Sequence, residues 1–87
     1  MVSKKVIVNN KSGLHARPAS LFVKEAMKYK SNVTVKVNDK EYAAKSILNI
    51  LAACIKSGTE VELIANGDDE QLAVDGLAAA IESGLGE

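Results

Sequence analysis

Residues 32–43 read NVTVKVNDKEYA, and this stretch decides the fold of the chain. Its three valines alternate with polar residues, which predicts a strand with one buried face and one face open to water. Asn38 and Asp39 then predict a tight turn into a second short strand around residues 41–43. Because sheets with one wet face are typically antiparallel, the segment indicates an antiparallel sheet.

Two further strands and three helices are predicted around this hairpin. Residues 6–8 are β-branched and residues 61–65 alternate again, so each segment is expected to form a strand. Three segments with apolar residues at spacings of three and four predict helices. The predicted order is βαββαβα, in which three helices cover one face of a four-stranded antiparallel sheet. We therefore predict a two-layer α+β open-faced sandwich formed by one domain, residues 1–87.

The ends of the helices are predicted from capping residues and glycines. The first helix is expected to open near Ala16. The second follows Ser46 and is expected to stop at residues 57–58. The third is expected to be capped by residues 67–69, where Asp68 and Gln71 fit a capping box, and to end at two glycines, Gly84 and Gly86.

The composition argues against several classes of function. Eleven basic and 11 acidic residues balance, and the chain has three aromatic residues, so nucleic-acid binding is poorly supported. One cysteine and one histidine cannot build a typical zinc site, and we expect no metal and no cofactor. No apolar run approaches the roughly 18 residues of a membrane span. We expect a soluble, cytoplasmic protein without a signal peptide.

His15, the only histidine, lies at the expected start of the first helix. The first N–H groups of a helix have no intrahelical acceptors, and this end carries about half a positive charge, which makes an anion site suited to phosphate. We expect the N–H groups of Ala16 and Arg17 and the Arg17 guanidinium to contact phosphate oxygens. Ser12 has two interpretations of equal weight, a hydrogen bond to the phosphate or an ordinary loop role. Pro18 fits the first turn, where its missing N–H costs nothing. A lone histidine at a helix start can also be a surface or capping residue, so the pattern alone leaves both interpretations open.

The run GLHARPA, from Gly13 to Ala19, resembles the active-site signature of the HPr family, the histidine-containing phosphocarriers of the bacterial sugar phosphotransferase system. The Lys45-Ser46-Ile47 stretch is similar to the family's regulatory-serine motif, and the similarity extends over essentially the whole chain. The family fold is the same βαββαβα sandwich.

This resemblance implies a role for the chain. A member of the family accepts a phosphoryl group on Nδ1 of the residue matching His15 from phosphorylated enzyme I, with the arginine matching Arg17 assisting. It then donates the group to enzyme IIA domains during sugar uptake. Such a protein is a stoichiometric carrier rather than an enzyme.

Ser46 has two interpretations, which are compatible. As a helix N-cap it contributes about 1 kcal/mol of stability. The resemblance also implies phosphorylation there by an HPr kinase/phosphorylase, and binding of the modified form to a catabolite-control transcription factor. The chain departs from relatives regulated in this way at Leu48, Asn49, Leu51 and Cys54, where they commonly carry Met, Gly, Met and Gly.

The second helix also predicts a surface for partner proteins. Ile47, Leu48 and Leu51 are expected to form an apolar patch beside the His15 loop, with part of the patch belonging to the core. Cys54 is expected to be a small buried apolar residue. Three lysines are candidates for meeting acidic partners or for plain solvated surface: Lys24, Lys28 and Lys45.

Two alternative functions remain open from the residues. The chain could be a regulatory relative in which phosphorylation controls binding rather than sugar uptake. It could also be a passive module that binds a small ligand or RNA, although its neutral charge and few aromatic residues disfavour RNA. A monomer is the expected oligomeric state.

Overall fold

The structure, a computed structural model, describes residues 1–85 and has the predicted order βαββαβα. The strands are β1 Val2–Ile7, β2 Asn32–Val37, β3 Lys40–Ala43 and β4 Glu60–Asn66. The helices are α1 Ala16–Ala26, α2 Ile47–Ala52 and α3 Glu70–Glu82. The predicted α+β open-faced sandwich is confirmed.

The sheet has the strand order β1-β4-β2-β3, and every neighbouring pair is antiparallel. The β2–β3 hairpin turns at Asn38 and Asp39, whose φ angles are 52° and 63°. Two successive residues with positive φ are what a type I′ turn requires, and this turn matches the twist of the strands. The hairpin predicted from the sequence is therefore present, with its expected turn.

The core lies between one face of the sheet and the helices. The inward valines of β2 are buried, and Val35 has no exposed surface. Phe22 of α1 and Leu77 of α3 are also fully buried in the same cluster. Thr34 and Lys36 lie on the opposite face and are partly exposed, as the alternation predicts. No helix within residues 1–85 is long and apolar enough to cross a membrane.

The predicted capping box at the third helix is wrong. The helix begins at Glu70, one residue later than a box of Asp68 and Gln71 requires, with Asp69 as the N-cap. The Asp69 carboxylate accepts hydrogen bonds of 2.9 Å from the backbone N–H groups of Lys30 and Ser31. It therefore fixes the loop before β2 instead of capping its own helix.

The second helix is shorter than predicted because the chain leaves helical geometry early. It ends at Ala52, and Cys54 follows with φ of 52°, in the left-handed region that commonly ends a helix. The third helix ends at Glu82, and Gly84 has φ of 92°, in keeping with its predicted role. The other predicted glycine stop, Gly86, lies outside the described residues.

Candidate functional site

His15 is the N-cap residue of α1, where the sequence predicts it. Its backbone is extended, with φ of −99° and ψ of 178°, and its carbonyl accepts a hydrogen bond of 2.8 Å from Ala19 N–H. The imidazole makes no capping hydrogen bond to the helix and is exposed. The helix thus fixes the backbone of His15 and leaves its ring available for chemistry.

The start of α1 has the electrostatic character of an anion site. Ala16 and Arg17 occupy its first two positions, where N–H groups have no intrahelical acceptors. No acidic residue lies in the first turn, so the positive end of this 11-residue helix is not neutralised by its own sequence. Arg17 is exposed beside these groups, while Pro18 is buried.

Gly13 places His15 by allowing two backbone segments to approach closely. Its φ is 63°, and a Cβ at this position would overlap the Ile55 carbonyl oxygen and lie 2.8 Å from Lys56 Cα. Leu14, one residue later, is 2% exposed and donates a 2.9 Å hydrogen bond from its N–H to the same Ile55 oxygen. The residue before His15 is therefore anchored to the segment after α2.

Asn10 is a second support of this loop, and the sequence analysis did not identify it. It is 4% exposed, and its Nδ2 donates a hydrogen bond of 2.6 Å to the Gly13 carbonyl. Gly13 N–H in turn donates to the Asn10 carbonyl at 3.1 Å. An Asn-Asn pair is an ordinary turn signal, and nothing local in it indicates that one member is buried.

His15 lines a cleft of about 360 Å³ between the loop and the end of α2. Apolar and polar side chains share its lining, which consists of Ser12, Leu14, His15, Leu51, Cys54, Ile55 and Lys56. The expectation that Cys54 is buried is wrong, because this residue ends α2 in left-handed geometry and is exposed. The cleft brings together the predicted Ser12, His15 and Leu51, and adds Lys56, which the sequence analysis missed.

Ser46 caps α2 as predicted. Its Oγ accepts hydrogen bonds of 3.2 Å from both the backbone N–H and the side-chain Nδ2 of Asn49. The Asn49 Oδ1 accepts a further hydrogen bond of 3.3 Å from Ala43 N–H. The departure at Asn49 therefore places an amide directly on the serine hydroxyl.

The three apolar residues predicted to meet partners differ in exposure. Leu48 is 76% exposed, whereas Ile47 and Leu51 are partly buried and pack against the core. Leu51 also lines the His15 cleft. Their use in partner binding remains a prediction, and the geometry favours Leu48 and Leu51 as its accessible members.

Two of the three candidate lysines are engaged within the chain. Lys45 Nζ donates a hydrogen bond of 2.7 Å to the Tyr29 carbonyl. Lys28 forms an ion pair of 2.9 Å with Glu25, in the turn that ends α1. Lys24 is exposed.

The clear pKa shifts occur at groups that do not line the cleft. The Ser31 hydroxyl and the backbone N–H of Lys30 lower the pKa of Asp69 to about 2. The Gly67 N–H lowers the pKa of Glu70. These shifts belong to the start of α3 and concern stability rather than the chemistry of His15.

Comparison with known proteins assigns the fold and the sequence to one family. Residues 2–83 match the family model described as the PTS HPr component phosphorylation site. The chain is 48% identical over 82 residues to the HPr-like protein Crh of Bacillus subtilis, covering 94% of this chain and 96% of that protein. It is 44% identical over 77 residues to the phosphocarrier protein HPr of Mycoplasma capricolum, covering 88% and 86% of the two chains.

Solved structures give the same assignment. A crystal structure of HPr from Thermoanaerobacter tengcongensis matches with a TM-score of 0.97 and 44% identity, covering 100% of this chain and 98% of that one. A second structure from the same organism is described as an HPr dimer, and it matches with a TM-score of 0.80 at full coverage of both chains.

Proposed function

Because this chain belongs to the HPr family of phosphotransferase-system phosphocarriers, we propose that His15 accepts a phosphoryl group from phosphorylated enzyme I and donates it to enzyme IIA domains. The observation that carries the proposal is the state of His15 at the N-terminus of α1. Its imidazole is exposed and makes no capping hydrogen bond, and no acidic residue lies in the first turn of the helix. On this proposal the chain is a stoichiometric carrier that is regenerated in each cycle, and it acts in the cytoplasm.

The proposed transfer is a nucleophilic substitution at phosphorus. A ring nitrogen of His15, Nδ1 by family resemblance, attacks the phosphorus of the donor. The new N–P bond forms as the bond from phosphorus to the donor breaks, and the donor keeps that electron pair. The reverse sequence delivers the group to an acceptor, so no redox partner is needed.

The surrounding residues stabilise the charge that the phosphoryl group brings. The N–H groups of Ala16 and Arg17 supply preorganised donors at the positive end of α1. The Arg17 guanidinium supplies charged donors that can make two parallel hydrogen bonds to a phosphate. The Ser12 hydroxyl lines the His15 cleft and supplies a neutral donor. Because the helix fixes the two backbone N–H groups before the reaction, they stabilise the phosphoryl group without reorganisation.

The test uses enzyme I and labelled phosphoenolpyruvate. The parent chain is expected to acquire acid-labile phosphate and to lose it when an enzyme IIA domain is added. His15→Ala is expected to acquire none while keeping the parent NMR fold, and Ser46→Ala serves as a matched control that still loads. Undiminished labelling of His15→Ala would refute the mechanism.

Phosphorylation of Ser46 is the second part of the proposal. Ser46 is partly exposed at a helix start, where a phosphoryl group would meet the favourable end of α2. The Asn49 amide competes for the hydroxyl, so Asn49→Gly is expected to speed modification by an HPr kinase/phosphorylase. The measurement is the incorporation of acid-stable phosphate from ATP, and Ser46→Ala is the negative control. Absence of incorporation into both the parent and Asn49→Gly would refute the proposed phosphorylation of Ser46.

The modified form is proposed to bind a catabolite-control transcription factor. Leu48 and Leu51, with Ile47 behind them, are the proposed docking residues for this and the other partners. Leu48→Ser is expected to weaken phosphoryl transfer to partners. Because Leu48 is exposed, the free energy of unfolding is expected to stay nearly unchanged. Unchanged transfer rates in that variant would exclude Leu48 from docking.

The likeness to an HPr-like protein supports a second candidate, a purely regulatory carrier. The phosphoryl assay separates the two functions, because a regulatory protein would load at His15 and fail to pass its label to any sugar-specific IIA domain.

We propose a monomer in either case. Sedimentation at micromolar concentration tests this, since a relative from the same family is described as a dimer.

A further inference from the structure

A phosphoryl group on His15 would carry nearly two negative charges, whereas the predicted site supplies one full positive charge, on Arg17. The cleft beside His15 offers a second cation. Lys56 lines this cleft together with Ser12 and His15, although it lies 41 positions further along the chain.

The backbone of Lys56 is fixed relative to the His15 loop. Its Cα lies against Gly13, at a distance that excludes any side chain at that glycine. Three hydrogen bonds join the segment before His15 to the segment around Lys56. They run from Leu14 N–H to the Ile55 carbonyl at 2.9 Å, from Val8 N–H to the Thr59 carbonyl at 2.9 Å, and from Gly58 N–H to the Val8 carbonyl at 2.6 Å.

The charge of Lys56 has no competing partner within residues 1–85. The ion pairs there involve the N-terminal amine, Lys4 and Lys28, and Lys56 takes part in none of them. No acidic residue contributes to the described lining of the cleft. Lys45 differs, because its ammonium is held by a backbone carbonyl.

We propose that Lys56 is a phosphate-binding residue of this site, whose ammonium pairs with the phosphoryl group on His15 across the cleft. The inference rests on the proposed phosphorylation of His15 and adds a residue to it. The flexible lysine stem extends from an anchored backbone position that lines the same cleft as His15. In the unphosphorylated protein Lys56 would remain solvated, and phosphorylation would draw it in.

The test loads His15 chemically, so that it does not depend on enzyme I. Potassium phosphoramidate phosphorylates imidazole: the ring nitrogen attacks phosphorus, the P–N bond of the reagent breaks, and ammonia leaves. The ³¹P NMR resonance of the phosphohistidine is then titrated with pH in the parent, Lys56→Gln, Lys56→Arg and Lys24→Gln. Lys24→Gln is the matched control, since Lys24 lies about 13.5 Å along α1 from His15 and beyond a Debye length.

Loss of a paired cation favours protonation of the phosphoryl-imidazole group. We expect Lys56→Gln to raise the titration midpoint by about 0.3–0.7 pH units, which is a two- to fivefold change in proton affinity. Lys56→Arg is expected to restore the parent midpoint, and 1 M salt to reduce the difference between parent and Lys56→Gln. A Lys56→Gln midpoint equal to that of Lys24→Gln, or no recovery with arginine, would overturn the assignment.

Failure of the proposed function is seen separately. A parent chain that enzyme I does not label, while the Lys56 shift persists after chemical loading, would contradict the carrier role and leave the cation assignment standing.

Discussion

Gly13 links the sequence signature to the position of the His15 ring. A glycine at this position could be attributed to a bend of the loop around the imidazole. The contacts give another cause, because the backbone of residues 55–56 occupies the space where a side chain would stand. The glycine thus allows two segments that are distant in sequence to approach each other. No local sequence pattern could reveal this role.

The variant pair Gly13→Ala and Gly58→Ala separates close approach from backbone strain. Both glycines have positive φ, 63° and 90°, but a Cβ at Gly58 would meet nothing within 4 Å. Gly58→Ala is expected to cost about 1–2 kcal/mol of unfolding free energy from strain alone. Gly13→Ala is expected to cost about 1–3 kcal/mol more from the clash. Urea unfolding measures both, and equal losses would contradict the proposed close approach.

Cys54 is strained where it follows the end of α2. Its φ of 52° lies in the left-handed region, which is unfavourable for a residue with a side chain. Cys54→Gly is expected to stabilise the chain by about 0.5–1 kcal/mol, after the greater entropy of an unfolded glycine is counted. Cys54→Ala keeps a Cβ and serves as the control, so an equal gain in both variants would point to the thiol instead of the backbone.

At the scale of secondary-structure elements, the contacts at the start of α3 explain why its N-cap was predicted wrongly. Both Asp68 and Asp69 are good N-cap residues by type, and the sequence offers no reason to choose between them. The choice is made by tertiary contacts, since Asp69 binds the backbone before β2, and Glu70 accepts a 3.1 Å hydrogen bond from Gly67 N–H. Element type was predictable here from periodicity, whereas the terminal residue depended on a partner 38 positions away.

Asp69 therefore gives the fold a specific dependence on pH. Its pKa in the folded chain is about 2, below the ordinary value of 3.8, because the Ser31 hydroxyl and the Lys30 N–H bind the ionised form. The carboxylate's contribution is complete above the unfolded pKa and is lost as the pH falls from about 5 towards 2. The urea midpoint of Asp69→Asn should accordingly fall less over this range than that of the parent. Asp68→Asn, one residue earlier and exposed, should follow the parent, and identical profiles for all three chains would contradict the assignment.

At the scale of the whole molecule, the sheet and the site differ in how far sequence determines them. The hairpin of residues 32–43 follows from alternation and turn chemistry, and the layer order follows from three amphipathic helices. The helix start at His15 is equally local. The cleft is different, because Lys56 and Cys54 reach His15 through the approach of separate segments, so neither could be placed there from spacing.

The open face of the sheet carries a row of alternating charge that crosses all four strands. Strand register places Lys5 opposite Glu62, Glu62 opposite Lys36, and Lys36 opposite Glu41. Opposite charges on neighbouring strands stabilise a sheet by about 0.2–1 kcal/mol per pair, and like charges destabilise it. This row of paired opposite charges explains how a chain of zero net charge keeps a polar, solvent-exposed sheet face, and it favours the observed strand register.

Reversing the central charge tests that account across three strands. Glu62→Lys would place three lysines in one row, and we expect it to lower the free energy of unfolding by about 1–2 kcal/mol at low salt, since two pairs change sign. Glu60→Lys is the control, because Glu60 faces Ile7 instead of a lysine across the β1–β4 ladder. The excess loss in Glu62→Lys should shrink in 0.5 M salt, where exposed charges are screened. Equal losses at both positions, or a difference insensitive to salt, would mean that burial and β propensity, not the charge row, govern this face.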